Sequence, residues 1–459
     1  MALRHCNNVV QWKVMPLALL SLLLTATMLA AEPVWETKVT EHIASALKDS
    51  GAVSVSVAIV QDGRIEFARA FGKADLANDR PAEAGTRYAV GSISKQFTAA
   101  ALLLLQEEGK LSLDDRVSKY FPDLTRANEI TIRQLLSHTS GYEDYAPQDY
   151  LIPEWTRPTT TADLLNTWAK KPLNFDPGTR WQYSNTGYVV AAAIAEKVAG
   201  KSLVAFLRER VFDPLKMASA GDCDQRSPSD ATPYTRYAFG PPRVVGREAS
   251  GWYNGAGELC MNAPDLAKWD IAFLEHKLLA ARSYEQLTRE VDLKNGDHTH
   301  YALGLTIGDF RGVPTFEHGG EVSGFLAVNK VFPNRNGAVI VLSNADGVSL
   351  TGSLADDVAK LVFLPEQRPE SKADTENVQA ILTSLQKGAI DPERFTGNAR
   401  SYFEKALPDF ASSLSALGPL KSVTFVNETL RGGMIHRIYR AQFDKKRVLL
   451  NIYVMPDGK

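Results

Sequence analysis

Ser92-Ile93-Ser94-Lys95 places a hydroxyl and an amine three residues apart, directly ahead of the apolar run Phe97–Leu105. On a helix, residues at that separation share a face. A serine hydroxyl alone is a weak nucleophile at neutral pH, and an adjacent base is the usual remedy. Lysine can be that base only where its proton leaves easily, and desolvation at the head of an apolar helix pushes its pKa down. The chemistry implied is acylation of Ser92, with Lys95 taking the proton. Spacing alone carries little, because it recurs at Ser45–Lys48 and Ser384–Lys387. A helix cap by Ser92 beside a solvated Lys95 would read the same way. Context separates Ser92 from the others. Tyr88-Ala-Val-Gly91 leads in, Gly91 allows a sharp turn and close backbone approach, and the apolar helix runs on until Gly109.

An acylating serine of this kind needs a second hydroxyl to pass protons toward the leaving group. It also needs a backbone N–H aimed at the developing oxyanion. Tyr183-Ser184-Asn185 is the only Tyr-x-Asn in the chain and sits in the turn-rich stretch 176–188, which opens a helix. A neighbouring ammonium favours the phenolate of such a tyrosine. An amide at Asn185 can bond a substrate carbonyl and the lysine together. A capping loop with a packed tyrosine is the plainer reading of the same residues. His318-Gly319-Gly320, the only His-x-Gly, precedes Glu321-Val-Ser-Gly-Phe325. Glycines there would let a strand edge lie against a bound acyl group.

Taken in order, Ser92-x-x-Lys95, Tyr183-x-Asn185 and His318-x-Gly320 resemble the serine β-lactamase and penicillin-binding superfamily. The detail is similar to its class C β-lactamase-related branch, which includes D-alanyl-D-alanine carboxypeptidases, D-aminopeptidases and esterases. Supporting segments are Leu135-Leu-Ser-His-Thr-Ser-Gly141, Pro177–Tyr188 and Tyr301-Ala-Leu-Gly304, so the resemblance spans residues 37–363. It implies that Ser92 is the acylated nucleophile and Lys95 its base. It implies that Tyr183 relays protons to the leaving group and activates the deacylating water, while Asn185, His318, Gly319 and Gly320 bind substrate. The backbone N–H groups of Ser92 and Glu321 would form the oxyanion hole, and His138 would be structural. Efficient β-lactamases usually carry Lys-Thr-Gly or Lys-Ser-Gly at the third motif. Here His318, mostly neutral at pH 7, replaces the cation and Gly319 replaces the hydroxyl. Esters, D-amino-acid peptides or peptidoglycan-derived amides are therefore the expected substrates, with a class C-like β-lactamase as the alternative. A non-catalytic protein binding cell-wall peptides is the reading from another class. No cofactor and no metal are expected.

The remaining sequence bounds what surrounds this site. With 459 residues, 44% hydrophobic and 23% charged, the chain has an ordinary globular composition. A formal charge of −2 gives no reason to expect nucleic acid as partner. Residues 1–31 read as a signal peptide: Arg4 and Lys13, the uncharged stretch Val14–Ala31, then Glu32-Pro33. An uncleaved anchor is the alternative. A secreted or periplasmic location follows from the first reading, with no membrane span after removal. In that oxidising setting Cys223 and Cys260 could pair, though sequence leaves this open. Asp297, His298 and His300 read as a polar loop in preference to a metal site.

Helix is expected over 37–50, then strands over 53–61 and 64–72 joined by Asp62-Gly63. A helical middle follows: 131–138, 161–170, 188–199, 203–211 and 264–276. Strands return at 301–310, 325–332 and 338–343, and a helix at 354–363. The sum is an α/β sandwich, an antiparallel sheet with helices on both faces and a helical insertion. Residues 32–363 would be the hydrolase domain and 364–375, polar with two prolines, a linker. Residues 376–459 would form a small α+β domain of helices followed by strands over 422–428, 434–443 and 447–455.

Overall fold

The computed structural model describes residues 34–455 apart from 149, 226, 239, 365–371 and 432–433. The expected signal segment 1–31 and most of the expected linker lie outside the described residues.

Helix α1 (Val34–Ser50) leads into β1 (Ser54–Gln61) and β2 (Arg64–Asp75). Asp62 and Gly63 join these strands with φ of 50° and 72°. Two left-handed residues are what a tight hairpin turn matched to strand twist requires. With β3 (Arg80–Pro81), β4 (Thr306–Phe310), β5 (Val313–Val322), β6 (Phe325–Phe332) and β7 (Gly337–Ser343), they form one seven-stranded sheet. Its order is β3-β2-β1-β7-β6-β5-β4, and the pairings are antiparallel. The two ends of the chain meet where β1 pairs β7, with Val57 opposite Val341.

Strand periodicity sorts the core into two layers. Val55, Val57, Ile59, Val339 and Val341 face α1 and α5 (Thr351–Phe363), meeting Val39, Ile43, Leu354 and Val358. Ala58, Val60, Ala338, Ile340 and Leu342 face the opposite way, toward the helical insertion. That insertion contains α2 (Ser94–Glu107), α3 (Asn185–Ala199) and α4 (Ala263–Leu274). The expected helix–sheet–helix sandwich is therefore the observed fold. No helix among the described residues is long and apolar enough to cross a membrane.

Two expectations shift in ways that matter for the site. β5 extends over Val313–Val322, where only a strand edge at His318-Gly319-Gly320 was expected. Its glycines mark close approach to another backbone. The strand expected over 301–310 begins only at Thr306. Gly304, at φ 76°, turns the chain against the backbone of Lys95, where a Cβ would stand 2.8 Å from the Lys95 carbonyl carbon.

Short strands 88–89, 259–261 and 221–222 form a small sheet beneath Ser92, and Cys223 and Cys260 are disulfide-bonded there with Cα atoms 4.9 Å apart. At the C-terminal end, α6 (Lys372–Gln386), α7 (Gly397–Ala416), β8 (Leu420–Arg431), β9 (Met434–Phe443) and β10 (Arg447–Val454) follow in turn. They close around their own core, including Leu382, Leu385, Tyr439 and Phe443.

Candidate active site

Ser92 stands in a single 3-10 turn, Gly91–Ile93, that runs directly into α2. Gly91 has φ 50°, and a Cβ on it would come 2.7 Å from the Glu321 amide nitrogen. Only glycine tolerates both conditions without strain. Lys95, in the first turn of α2, is fully buried. Its Nζ lies 2.9 Å from Ser92 Oγ, 2.8 Å from Asn185 Oδ1 and 2.7 Å from the Ala256 carbonyl. The two carbonyl-type oxygens can only accept. A neutral amine thus donates twice and keeps its lone pair for the Ser92 proton. Burial pulls the lysine down to about 7, against an opposing pull from Asp144. The positive end of α2 acts in the same direction as burial.

Tyr183 donates its phenol to Ser92 Oγ at 2.7 Å. Burial raises this phenol well above its ordinary value, so the resting tyrosine is protonated. Desolvation outweighs the ammonium effect that would favour a phenolate. Asn185 begins α3, and its amide is engaged on both sides. Oδ1 takes Lys95 and Nδ2 reaches Asp144 Oδ1 at 3.2 Å, while the Asn185 N–H donates to the same carboxylate at 3.0 Å. Burial raises Asp144. No spacing rule pointed to Asp144 or to the Ala256 carbonyl. Both reach the site through loops whose course the motifs do not encode.

β5 supplies the opposite wall. A Cβ on Gly320 would collide with the Val90 carbonyl and lie 3.3 Å from Ser92 N. This bare edge lets the strand press on the nucleophile turn, bringing the backbone amides of Ser92 and Glu321 to the same end of the cleft. The cleft has a volume of about 740 Å³ and is lined by Ser92, Tyr183, Asn185, His318, Gly319, Gly320 and Glu321 among others. Among the described residues its lining contains no lysine or arginine and includes the carboxylates Asp144, Glu248 and Glu321. His318 is buried, with Nε2 2.9 Å from the Tyr301 hydroxyl and Nδ1 2.5 Å from the Gly319 carbonyl. Burial pulls it down to about 4, helped by Lys95, so it is neutral at pH 7. Every residue expected at the site is in this cleft or hydrogen-bonded into it. His298 and His300 are elsewhere, on an exposed loop with His298 3.0 Å from Asp292.

This serine–lysine–tyrosine cluster between an all-antiparallel sheet and a helical insertion is the arrangement of a serine β-lactamase-type protein. The Beta-lactamase family model matches residues 39–363, and the chain belongs to that family. It is 31% identical over 300 residues to a D-aminopeptidase of Cereibacter sphaeroides, covering 62% of this chain and 55% of that one. It is 28% identical over 324 residues to a Bacillus subtilis protein named for penicillin binding, PbpX, covering 70% and 78%. Thus the chain spans little more than half the length of the D-aminopeptidase. A solved D-stereospecific amidohydrolase from a Streptomyces species superposes with a TM-score of 0.62 at 26% identity, covering 71% of this chain and 98% of that one. An octameric penicillin-binding protein homologue from Pyrococcus abyssi shares the fold over 92% of this chain and 91% of its own, with a TM-score of 0.64 at 22% identity.

Proposed function

We propose that the protein is an exported serine hydrolase that cleaves amides of D-amino acids or short peptides, and esters, through an acyl-enzyme. One observation carries this reading: Ser92 Oγ is held between Lys95 Nζ at 2.9 Å and Tyr183 Oη at 2.7 Å, at the cleft. Ser92 attacks the substrate carbonyl carbon as Lys95 takes its proton. The oxyanion forms against the amides of Ser92 and Glu321, where one such donor is typically worth about a hundredfold or more in rate. The C–N bond then breaks, and a proton passed through Tyr183 leaves with the amine. Water attacks the acyl-enzyme with its proton returning along the same groups, and free Ser92 and the acid product result. Asn185 holds Lys95 in place and lines the pocket beside the substrate.

The lining favours this substrate class over carboxylate-bearing β-lactams. His318 is neutral, Gly319 offers no hydroxyl, and among the described residues no lysine or arginine lines the cleft to hold a carboxylate. The similar proteins named as a D-aminopeptidase and a D-stereospecific amidohydrolase support the same preference. Export rests on the N-terminal segment 1–31. The test is one panel on wild type and Ser92→Ala: D-amino-acid amides, D-alanyl peptides, p-nitrophenyl esters and a chromogenic cephalosporin. Turnover of amides and esters, falling at least about a thousandfold in Ser92→Ala, is expected. Cephalosporin turnover well above the others would establish the β-lactamase alternative. Failure of a reactive phosphonate to label Ser92 would establish a binding protein.

A further inference from the structure

We propose that His138, Tyr301 and His318 form a one-way hydrogen-bond relay that holds the Tyr183 loop and the Gly319–Glu321 strand in register, making Tyr301 a positioning residue. This rests on the reading that Tyr183 and the Glu321 amide serve the reaction. Its direction follows from the backbone groups at its two ends. The Ser184 N–H lies 3.1 Å from His138 Nδ1 and can only donate. His138 Nδ1 therefore bears no hydrogen, and the neutral ring carries its proton on Nε2, 3.2 Å from the Tyr301 oxygen. At the far end the Gly319 carbonyl can only accept, so His318 carries its proton on Nδ1 and presents a bare Nε2. Tyr301, 2.9 Å away, donates to it. Both ends demand the same direction, so the two tautomers are fixed without reference to each other.

What this relay grips is the catalytic tyrosine. The His138 carbonyl accepts Gln182 N–H at 3.0 Å while its ring accepts Ser184 N–H, so His138 brackets Tyr183 from both sides. Its imidazole also packs against the Tyr183 ring, tilted by 35° with centroids 4.3 Å apart. To do this His138 adopts φ 60°, a left-handed conformation that strains a non-glycine residue. Strain of that kind persists only where the surroundings over-determine it. The other titratable groups facing the relay are Tyr183, Tyr188 and Lys95. Tyr188 spends its own proton on the Leu136 carbonyl at 2.5 Å, so its oxygen is a second acceptor beside the Tyr301 hydroxyl, while Lys95 opposes protonation of both imidazoles. Loss of the central hydroxyl would leave His138 Nε2–H and His318 Nε2 unpaired in a buried pocket and free the two walls to drift.

The test uses the full-length mature protein with ¹⁵N-labelled histidine. In wild type, imidazole ¹⁵N NMR at pH 7 should show His138 as the Nε2–H tautomer and His318 as the Nδ1–H tautomer, assigned with His138→Gln and His318→Gln. Tyr301→Phe, which keeps the ring, should lower kcat about tenfold or more with KM little changed, and should release His318 from a single tautomer. His318→Gln retains an acceptor for Tyr301 but loses the Gly319 bond, and should lower kcat in the same manner. The opposite tautomer at either histidine in wild type overturns the relay. Full kcat in both variants overturns its positioning role. The tautomer measurement needs no substrate and no variant to stay folded beyond those used for assignment. It therefore stands even if none of the proposed substrates is turned over.

Discussion

At the scale of single residues, the site depends on protons more than on shape. Lys95 serves as base only when neutral, and burial brings it down to about 7. The folded value is lowered, so the active amine is present above that pH and lost below it. For a neutral ester, kcat/KM should rise with pH along a one-proton limb and level off above about 7, and Lys95→Arg, which stays charged, should lose about a hundredfold or more throughout. Tyr183, raised by burial, acts as a donor. Removing it should cost most where the leaving group needs a proton. In Tyr183→Phe, amide hydrolysis should fall by about a hundredfold or more, while release of p-nitrophenol, a leaving group that departs as the anion, falls much less. Equal losses on both substrates would assign Tyr183 a role in activating Ser92 instead. Ser92, Lys95 and Tyr183 could be read from the sequence because each belongs to a spaced motif. Asp144 and Tyr301 reach the site from loops and offered no such signal as individual residues.

At the scale of elements, α2 carries the nucleophile at its head and is locked behind it by a buried polar chain. Trp269 Nε1 donates to Gln96 at 2.9 Å, Gln96 to Asn329 at 3.0 Å, and Asn329 to Asp270 Oδ2 at 2.6 Å, tying α2 to α4 and β6. Asp270 is fully buried and its Oδ1 has no partner, so burial raises the carboxyl to about 8. A raised carboxylate contributes its full stability only below the unfolded value of 3.8 and loses it as pH climbs toward about 8. Asp270→Asn should therefore stabilise the protein more at pH 9 than at pH 5, by on the order of a few kcal/mol, as read from urea unfolding at both pH values. No difference between the two pH values would mean that Asp270 is ionised and solvated. The helices were legible from apolar periodicity and caps. Of β5 only the glycine-bearing edge was legible, because Pro314 and the glycines weaken the alternation that marks a whole strand.

At the scale of the molecule, the sheet is assembled from both ends of the catalytic region, and the insertion between them must be held against it. The Cys223–Cys260 disulfide closes a 37-residue separation and lies in the small sheet that includes Tyr88 and Ala89, just before the nucleophile turn. Cross-linking a loop of that size is worth about 3–4 kcal/mol in the chain-entropy account. Reduction, or Cys223→Ser with Cys260→Ser, should lower unfolding free energy by about that amount and increase protease sensitivity of the insertion. An unchanged melting curve after verified reduction would show that packing alone holds it. The C-terminal elements have a core of their own.

The order of motifs, the hydrophobic periods and the Asp62-Gly63 turn pointed by themselves to the antiparallel sandwich and to Ser92, Lys95 and Tyr183 as the candidate site. These are local properties, carried by residues a few positions apart. The tertiary structure alone decided their protonation and their company. Burial at the head of α2, set by helices and strands far apart in sequence, lowers the Lys95 ammonium and keeps Tyr183 protonated. It also leaves His318 neutral and bonded to Tyr301 and Gly319 while it lines the cleft. Desolvation and hydrogen-bond direction depend on everything packed around a group, and no spacing along the chain encodes that.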